Sequence, residues 1–500
     1  MKLSFGPSRS RNPEFGNSFR SGAGLRGMAS SDDGRQNTIR QFQSPGLRRL
    51  TLPDRSMTRT SSSISDQRPE IFYPVVGAAS WSFRIFFILA IFLAISVASH
   101  CAAQQELTKR PSLATETGDQ RATEPISLGG GGRFAIPSPG GSGHRTSIGE
   151  GDHRFPVVVV RGTPYQMGWQ LGRLIREEMQ SFIPAAVDGL AKQTGMPEDV
   201  LVEAWTRSSA YADDRLEQEL LGLADSSGVP LRSLQAMHAL PLLMPYSCSS
   251  IAVWGDATKD GHLYQTRNLD WSLEVGAHNF PVIVVYIPDQ GQSHVIPTFA
   301  GMIGAHTGMN ARGIALAEMG DASGREAPYQ VHAPHFTTFF RTMLYDAESL
   351  TTALDIFQAQ IPTKRYHYVF GDGGNEMRAV KILAHAPEPE DRRIRIWKDN
   401  DPTDEFAPNV LRCTVYNDEG RGAFPSLKKD HGQFDANRLI ELANRIPIRG
   451  GNVENVVYDA TGLKLWVSYA KGEVEAYRRP YAMLDLKTLD ADADGQADLR

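Results

Sequence analysis

Residues 247–271 read S-C-S-S-I-A-V-W-G-D-A-T-K-D-G-H-L-Y-Q-T-R-N-L-D-W. Ser249 to Trp254 is a short apolar run with β-branched residues, the composition of a strand. Thr258-Lys259-Asp260-Gly261 is a turn signal, because Asp-Gly supplies the positive φ that a tight hairpin needs. His262 to Thr266 then reads as the returning strand. Closing that hairpin brings Asp270 within a few residues of Cys248. Local geometry alone therefore gathers a thiol, a carboxylate and the Arg267 guanidinium.

Strand patterns continue beyond the hairpin. Phe280 to Ile287 and His294 to Phe299 read as strands. Gly301 to Ala305 turns into Thr307 to Ala315. Strand, Gly-rich turn and strand repeat here without helices, which argues for an antiparallel sheet. Phe336 to Gln360 is amphipathic at helical spacing. Tyr366–Phe370 and Met377–Ile382 read as paired strands, Leu411–Tyr416 as a strand, and Val456–Asp459 with Lys464–Ser468 as a late hairpin. On the other side, Pro156 to Val160 reads as a strand. Gly162-Thr163-Pro164 opens a helix that carries Gly168 and Gly172 one turn apart. Each glycine weakens a helix by roughly 1 kcal/mol relative to Ala, so a close approach of this helix to a sheet is expected as compensation. Leu190 to Leu240 is helical by period, and Met237 to Met244 is an apolar approach to the cysteine. The body, 153–486, is thus α+β.

Five hundred residues, 41% hydrophobic, can bury a sizeable core. The net charge of −5 gives no reason to expect a nucleic-acid partner. The charge is uneven: residues 1–84 hold 13 Lys+Arg against 6 Asp+Glu, a balance of +7 that leaves −12 for the rest. Residues 1–84 are rich in Ser, Arg, Gly and Pro and read as a disordered basic region. Ile85 to Ala98 is an apolar run after Arg84, within a segment 85–103 that reads as a signal peptide or a signal anchor. A buried soluble helix is the alternative. In either membrane reading the body is exported, extracytoplasmic and either secreted or membrane-anchored. Residues 104–152 read as a Gly/Ser/Pro-rich linker. The tail 487–500 is acidic; Asp490 to Asp498 matches the first half of a calcium loop, but the chain stops before the bidentate acid at position 12. Cys101, Cys248 and Cys413 form no disulfide framework. A Cys248–Cys413 bridge is open in an oxidising compartment and would disable the nucleophile.

The Cys-Ser-Ser start, the Arg267-Asn268-Leu269-Asp270-Trp271 end and the block Gly308-Met309-Asn310-x-x-Gly313 resemble the acyl-coenzyme A:6-aminopenicillanic acid acyltransferase family (peptidase C45-like). The Gly-x-Pro-Tyr-x-x-Gly-x-x-x-Gly pattern at 162–172 is similar to the start of that family. The family belongs to the N-terminal-nucleophile (Ntn) hydrolases, beside bile-salt hydrolases, penicillin V acylases and acid ceramidases. The resemblance implies a four-layer αββα sandwich and cleavage between residues 247 and 248. It also implies Cys248 as nucleophile, with Arg267 and Asp270 as its partners. Asn417, in Val415-Tyr416-Asn417-Asp418, matches the family's oxyanion asparagine; Asn310 competes for that role.

An N-terminal cysteine carries its own base, an α-amine titrating near 8 beside a thiol that titrates near 8.5. The Ser247–Cys248 bond must first be cut, because a peptide nitrogen is not basic. Asp270 would then orient the ammonium, and Arg267 would hold the thiolate and help position Asp270. The substrate class expected is a small-molecule acyl amide or thioester, and the activity that of an Ntn hydrolase or acyltransferase working on non-peptide C–N bonds. Two alternatives remain: a lipid-amide hydrolase of the ceramidase or bile-salt type, and an inactive membrane-tethered binding domain of the same fold. Apolar residues around Phe299–Ile303 and Pro241–Tyr246 could line an acyl pocket. No motif calls for a cofactor or metal; His332 and His335 read as a loop pair. Oligomeric state is not legible.

Overall fold

A computed structural model describes residues 143–488, apart from 244–245, 321–331, 361–362, 386–393, 405–406, 408–410, 419, 421 and 448–450. The basic head, the segment 85–103, the linker up to 142 and residues 489–500 lie outside the described residues. Among the described residues no helix is long and apolar enough to cross a membrane.

The described chain opens with β1 (His144–Ile148) and β2 (Phe155–Gly162). Five helices follow: α1 (Pro164–Leu174), α2 (Arg176–Thr194), α3 (Glu198–Ser209), α4 (Asp214–Ser227) and α5 (Leu231–Leu243). Six strands come next: β3 (Ser247–Gly255), β4 (Gly261–Asp270), β5 (Pro281–Pro288), β6 (His294–Phe299), β7 (Thr307–Asn310) and β8 (Ile314–Gly320). Helices α6 (Phe336–Asp346) and α7 (Leu350–Gln358) lead to β9 (Tyr366–Asp372), β10 (Arg378–Ala384), β11 (Ile394–Trp397) and β12 (Thr414–Asn417). The chain closes with α8 (Phe424–Lys429), α9 (Ala436–Ala443), β13 (Glu454–Asp459), β14 (Lys464–Tyr469) and β15 (Ala482–Asp485).

The strands form two sheets, one ordered β1-β2-β5-β6-β7-β8-β9-β10-β11 and the other β12-β3-β4-β13-β14-β15. Strands β3 and β4 face β8 and β9 across the space between the sheets. Helices α1, α6 and α7 cover the first sheet through β2, β7, β8 and β9, and α9 covers the second through β4 and β13. The layer order is therefore αββα, as the resemblance implies. Strand pairings are antiparallel except β2 with β5, which run parallel from Val157↔Ile283 to Gly162↔Pro288. A parallel pair needs a long crossover; here the five helices and the β3–β4 hairpin supply it.

Helix α1 starts where the sequence places it. Thr163 accepts from the Gln166 backbone N–H while the Gln166 side chain accepts from the Thr163 backbone, a capping box with Pro164 in the first turn. Its glycines serve a different neighbour from the one expected. A Cβ at Gly168 or Gly172 would overlap α4 at Glu219, or at Leu223 and Ser226, and a Cβ at Gly222 of α4 would overlap the Tyr165 carbonyl of α1. The close approach is helix to helix, not helix to sheet.

Two other expectations change. The stretch 336–360 is two helices, because Ser349 caps α7 with its own capping box to Thr352. The linker ends early: β1 pairs with β2 from His144↔Val159 to Ile148↔Phe155. Strand β11 and helix α9 were not among the elements expected; α9 is short and amphipathic, capped by Asp435, and buries Leu439 and Leu442. Cys248 and Cys413 are both free thiols.

Candidate active site

The hairpin register sets the site. Ser247 pairs with Asp270, Cys248 with Leu269 and Ser249 with Asn268. Directly opposed residues share a face and successive residues alternate. Cys248, Leu269 and Arg267 therefore point between the sheets, toward β8.

The thiol of Cys248 is fully buried. Burial pushes its pKa up to about 12; Arg267 pulls it down, the Glu318 and Asp270 carboxyls push it up, and a backbone hydrogen bond from Asp270 lowers it. The cysteine of the intact chain is held as a thiol.

Arg267 is fully buried as well. Burial opposes its charge, but Cys248, Glu454, Glu318 and Tyr246 favour it more, so its pKa is raised. Its Nη2 lies 3.8 Å from Glu318 Oε2 and its Nη1 lies 4.0 Å from Glu454 Oε1. Both distances exceed hydrogen-bond range, and neither terminal nitrogen has a hydrogen-bond partner among the described residues. This corrects the expected support of Asp270 by Arg267: the ion pairs of Arg267 run to Glu318 on β8 and Glu454 on β13. Positions 267 and 270 fall on opposite faces of β4, which is why spacing along the chain misleads. Asp270 instead accepts from Asn452 Nδ2 at 3.1 Å. The same amide donates to Asn455 Oδ1 and to the Leu269 carbonyl.

The two candidate oxyanion donors stand in different surroundings. Asn417 pairs with Ser250 across β12 and β3, on the face that Cys248 shares. Among the described residues its Nδ2 reaches the Met319 sulfur, at 3.8 Å, a weak acceptor. Asn310 is fully committed elsewhere. Its Oδ1 accepts from the Arg312 and Ile314 N–H groups, and its Nδ2 donates to the Leu344 and Ala347 carbonyls. That ties the β7–β8 turn to the end of α6 and exhausts the amide's two donors and two acceptor positions.

A narrow cavity adjoins Arg267, lined otherwise by Pro241, Tyr246, Leu269, Trp271, Phe299, Met302, His306 and Phe336. Its lining side chains are apolar in character apart from Arg267 and His306. His306 contacts Glu454 Oε1 through Nε2 at 3.0 Å and lies parallel to the Phe299 ring. Burial lowers its pKa, against the pull of Glu454. The Ile303 peptide behind this wall is gripped on both sides. Its N–H donates to His238 Nε2 at 2.9 Å, and its carbonyl accepts from Arg341 Nη1 at 2.6 Å. Arg341 is in turn paired with Glu219 at 2.7 Å.

Glu318, Glu454, His306 and Asn452 were not singled out from sequence. Glu318 had the only visible signal, an acid inside the apolar run Ile314–Met319. His335 caps α6 by accepting from the Thr337 N–H, while His332 is exposed against Tyr211. Among the described residues no cluster of three or more His, Cys, Asp or Glu is arranged to hold a metal.

No family model matches the chain. Protein dcd1B of Dictyostelium discoideum is 27% identical over 366 residues, spanning 66% of this chain and 71% of that protein. Protein dcd1A of the same organism is 24% identical over 404 residues, spanning 68% and 87%. Among solved structures, a Caenorhabditis elegans N-acylethanolamine-hydrolyzing acid amidase ortholog aligns at 15% identity and TM-score 0.33, covering 47% of this chain and 100% of that one. A mutant conjugated bile acid hydrolase from Clostridium perfringens gives 12% identity and TM-score 0.34, covering 48% and 93%. Penicillin V acylase from Agrobacterium tumefaciens gives 12% identity and TM-score 0.30, covering 50% and 93%.

Proposed function

We propose that this chain is a cysteine Ntn amidase or acyltransferase that first cuts itself between Ser247 and Cys248. The observation that carries the reading is the buried Cys248 thiol beside Arg267, whose terminal N–H groups are unspent among the described residues. A desolvated guanidinium with free donors beside a nucleophile suits charge that develops during reaction.

In the cut, Cys248 Sγ bonds to the Ser247 carbonyl carbon and the thiol proton goes to the departing nitrogen. The C–N bond breaks, leaving a Ser247 thioester on Cys248 and a free α-amine. Water hydrolyses the thioester to a Ser247 carboxylate and the Cys248 thiol. In turnover the α-amine takes the thiol proton, the sulfur attacks the substrate carbonyl, and the ammonium protonates the leaving amine. Water or an acceptor amine then releases the acyl group. The register places Asp270 opposite Ser247, next to the nitrogen that the cut frees; its carboxylate holds the ammonium, itself fixed by Asn452. Asn417 Nδ2 donates to the oxyanion. The apolar cavity supports an acyl group of hydrocarbon or aryl character, which suits a small acyl amide and a lipid amide alike.

Mass spectrometry of the purified chain tests this. A fragment beginning at Cys248 is expected, with Cys248→Ala remaining a single chain. Turnover of acyl amides by uncut protein would overturn the mechanism.

A further inference from the structure

The residue before the scissile pair is held more tightly than an ordinary strand lead-in requires. Tyr246 is half-buried, yet its hydroxyl is completely enclosed. Its main chain lies against Gly320, the last residue of β8, where a Cβ would overlap the Tyr246 carbonyl oxygen and press on its ring. The ammonium of Lys364, itself fully buried, stands 5.2 Å from the Tyr246 ring and 5.0 Å from the Tyr366 ring. Removing an ammonium from water is costly, and two aromatic faces recover part of that cost. The hydroxyl end sits near Glu318 and Cys248, and burial, then Glu318, hold its pKa well above the ordinary value.

We propose that Tyr246 is a positioning residue for the self-cleavage step, clamped by Gly320 and Lys364 so that the Ser247 carbonyl is presented to the Cys248 thiol. This rests on the reading of the Ser247–Cys248 bond as the one that is cut. Ser247 is fixed on its far side by pairing with Asp270, and Tyr246 is fixed at its carbonyl and its ring. The approach of sulfur to carbon is set by φ and χ1 of Cys248, and the two anchors hold the acyl half of the bond still while the sulfur comes in. A misplacement of about 1 Å can cost on the order of 10²-fold in such a step. The same ring forms part of the cavity wall beside Arg267, so in the uncut chain Tyr246 also narrows the space that an acyl group would use.

The test follows the first-order appearance of the Cys248 fragment after full-chain synthesis, with circular dichroism and thermal unfolding on each protein. Tyr246→Ala and Lys364→Met should each slow the cut about tenfold or more. Combining them should slow it little further, since both act on one ring. Tyr246→Phe, which keeps the ring face, should recover most of the rate, and so should Lys364→Arg. Gly320→Ala should slow the cut because the Tyr246 carbonyl must move. If the Ala and Met variants are folded and cut at the wild-type rate, or if their effects multiply, the clamp is wrong although the Ntn reading stands. If they misfold, the Phe and Arg variants decide: wild-type folding with no recovery of rate overturns the clamp. A wild-type chain that stays whole overturns both readings.

Discussion

The wall of the cavity should be acid-labile at one histidine. His238 Nδ1 lies 2.7 Å from the Leu234 carbonyl, and its Nε2 accepts from the Ile303 N–H. A carbonyl can only accept, so Nδ1 carries the proton and Nε2 must be bare: the ring is neutral. Burial, with a smaller push from Arg341, lowers its pKa to about 4, against the Leu234 carbonyl, which raises it. The folded value is depressed from 6.5, so between pH 6.5 and 4 the unfolded chain binds the proton and the folded chain does not. Stability from this residue is complete above about pH 6.5 and is lost as pH falls toward 4. Two and a half pKa units correspond to about 3 kcal/mol. The assay is urea unfolding of the single-chain Cys248→Ala protein at pH 7.5, 6, 5 and 4.5, beside the same protein carrying His238→Gln. Glutamine keeps an acceptor near the Nε2 position and does not titrate. The difference in pH dependence between the two should approach 3 kcal/mol, because the carboxylates common to both cancel. Parallel curves would refute the assigned tautomer and the grip on Ile303.

The asparagines should separate by role. Asn417→Ala should lower turnover on the order of 10²–10³-fold with little change in folding, whereas Asn310→Ala should lower the unfolding midpoint, since four buried hydrogen bonds go with it; a silent Asn417→Ala would remove it from the oxyanion site. Gly222→Ala should destabilise by about 1–3 kcal/mol in urea, because the gain in helix propensity is smaller than the cost of driving α1 and α4 apart; a more stable variant would contradict the helix–helix contact. The basic head and the apolar run Ile85–Ala98 lead us to expect an extracytoplasmic body, so protease added to intact cells or spheroplasts should reach it; protection that ends only on lysis would refute that placement.

The hairpin was legible because its signals are local: a β-branched run, an Asp-Gly turn and a return within ten residues. The same locality made the start of α1 at Thr163-Pro164 readable. Gly168 and Gly172 announced a close approach, but the partner lies about fifty residues on, at Glu219 to Ser226 of α4, and spacing within one helix says nothing of what it meets. The Arg267 partners failed for a related reason. A three-residue offset suggests neighbours, yet alternation along β4 turns Arg267 toward the opposite sheet, where the fold brings Glu318 and Glu454 from segments 51 and 187 residues later. Helix α9 escaped because it is short: its apolar face, Leu439 and Leu442 behind the Asp435 cap, spans only eight residues.

The charges of the site suggest why the cut and the chemistry belong together. In the intact chain one guanidinium faces the carboxyl groups of Glu318 and Glu454, and Asp270 stands at the end of the same strand. Arg267 is thus shared among acids and cannot by itself offset burial of the thiol, which stays near 12. On the proposed reading, cutting the Ser247–Cys248 bond would add an amine next to Asp270, while Gly320 and Lys364 would still hold Tyr246 against the cavity. That amine would supply a base and a second cation beside the thiol. On that reading a cysteine silent in the precursor and reactive in the product would need no rearrangement of the sheets, because the new charge would arise on the cysteine's own nitrogen.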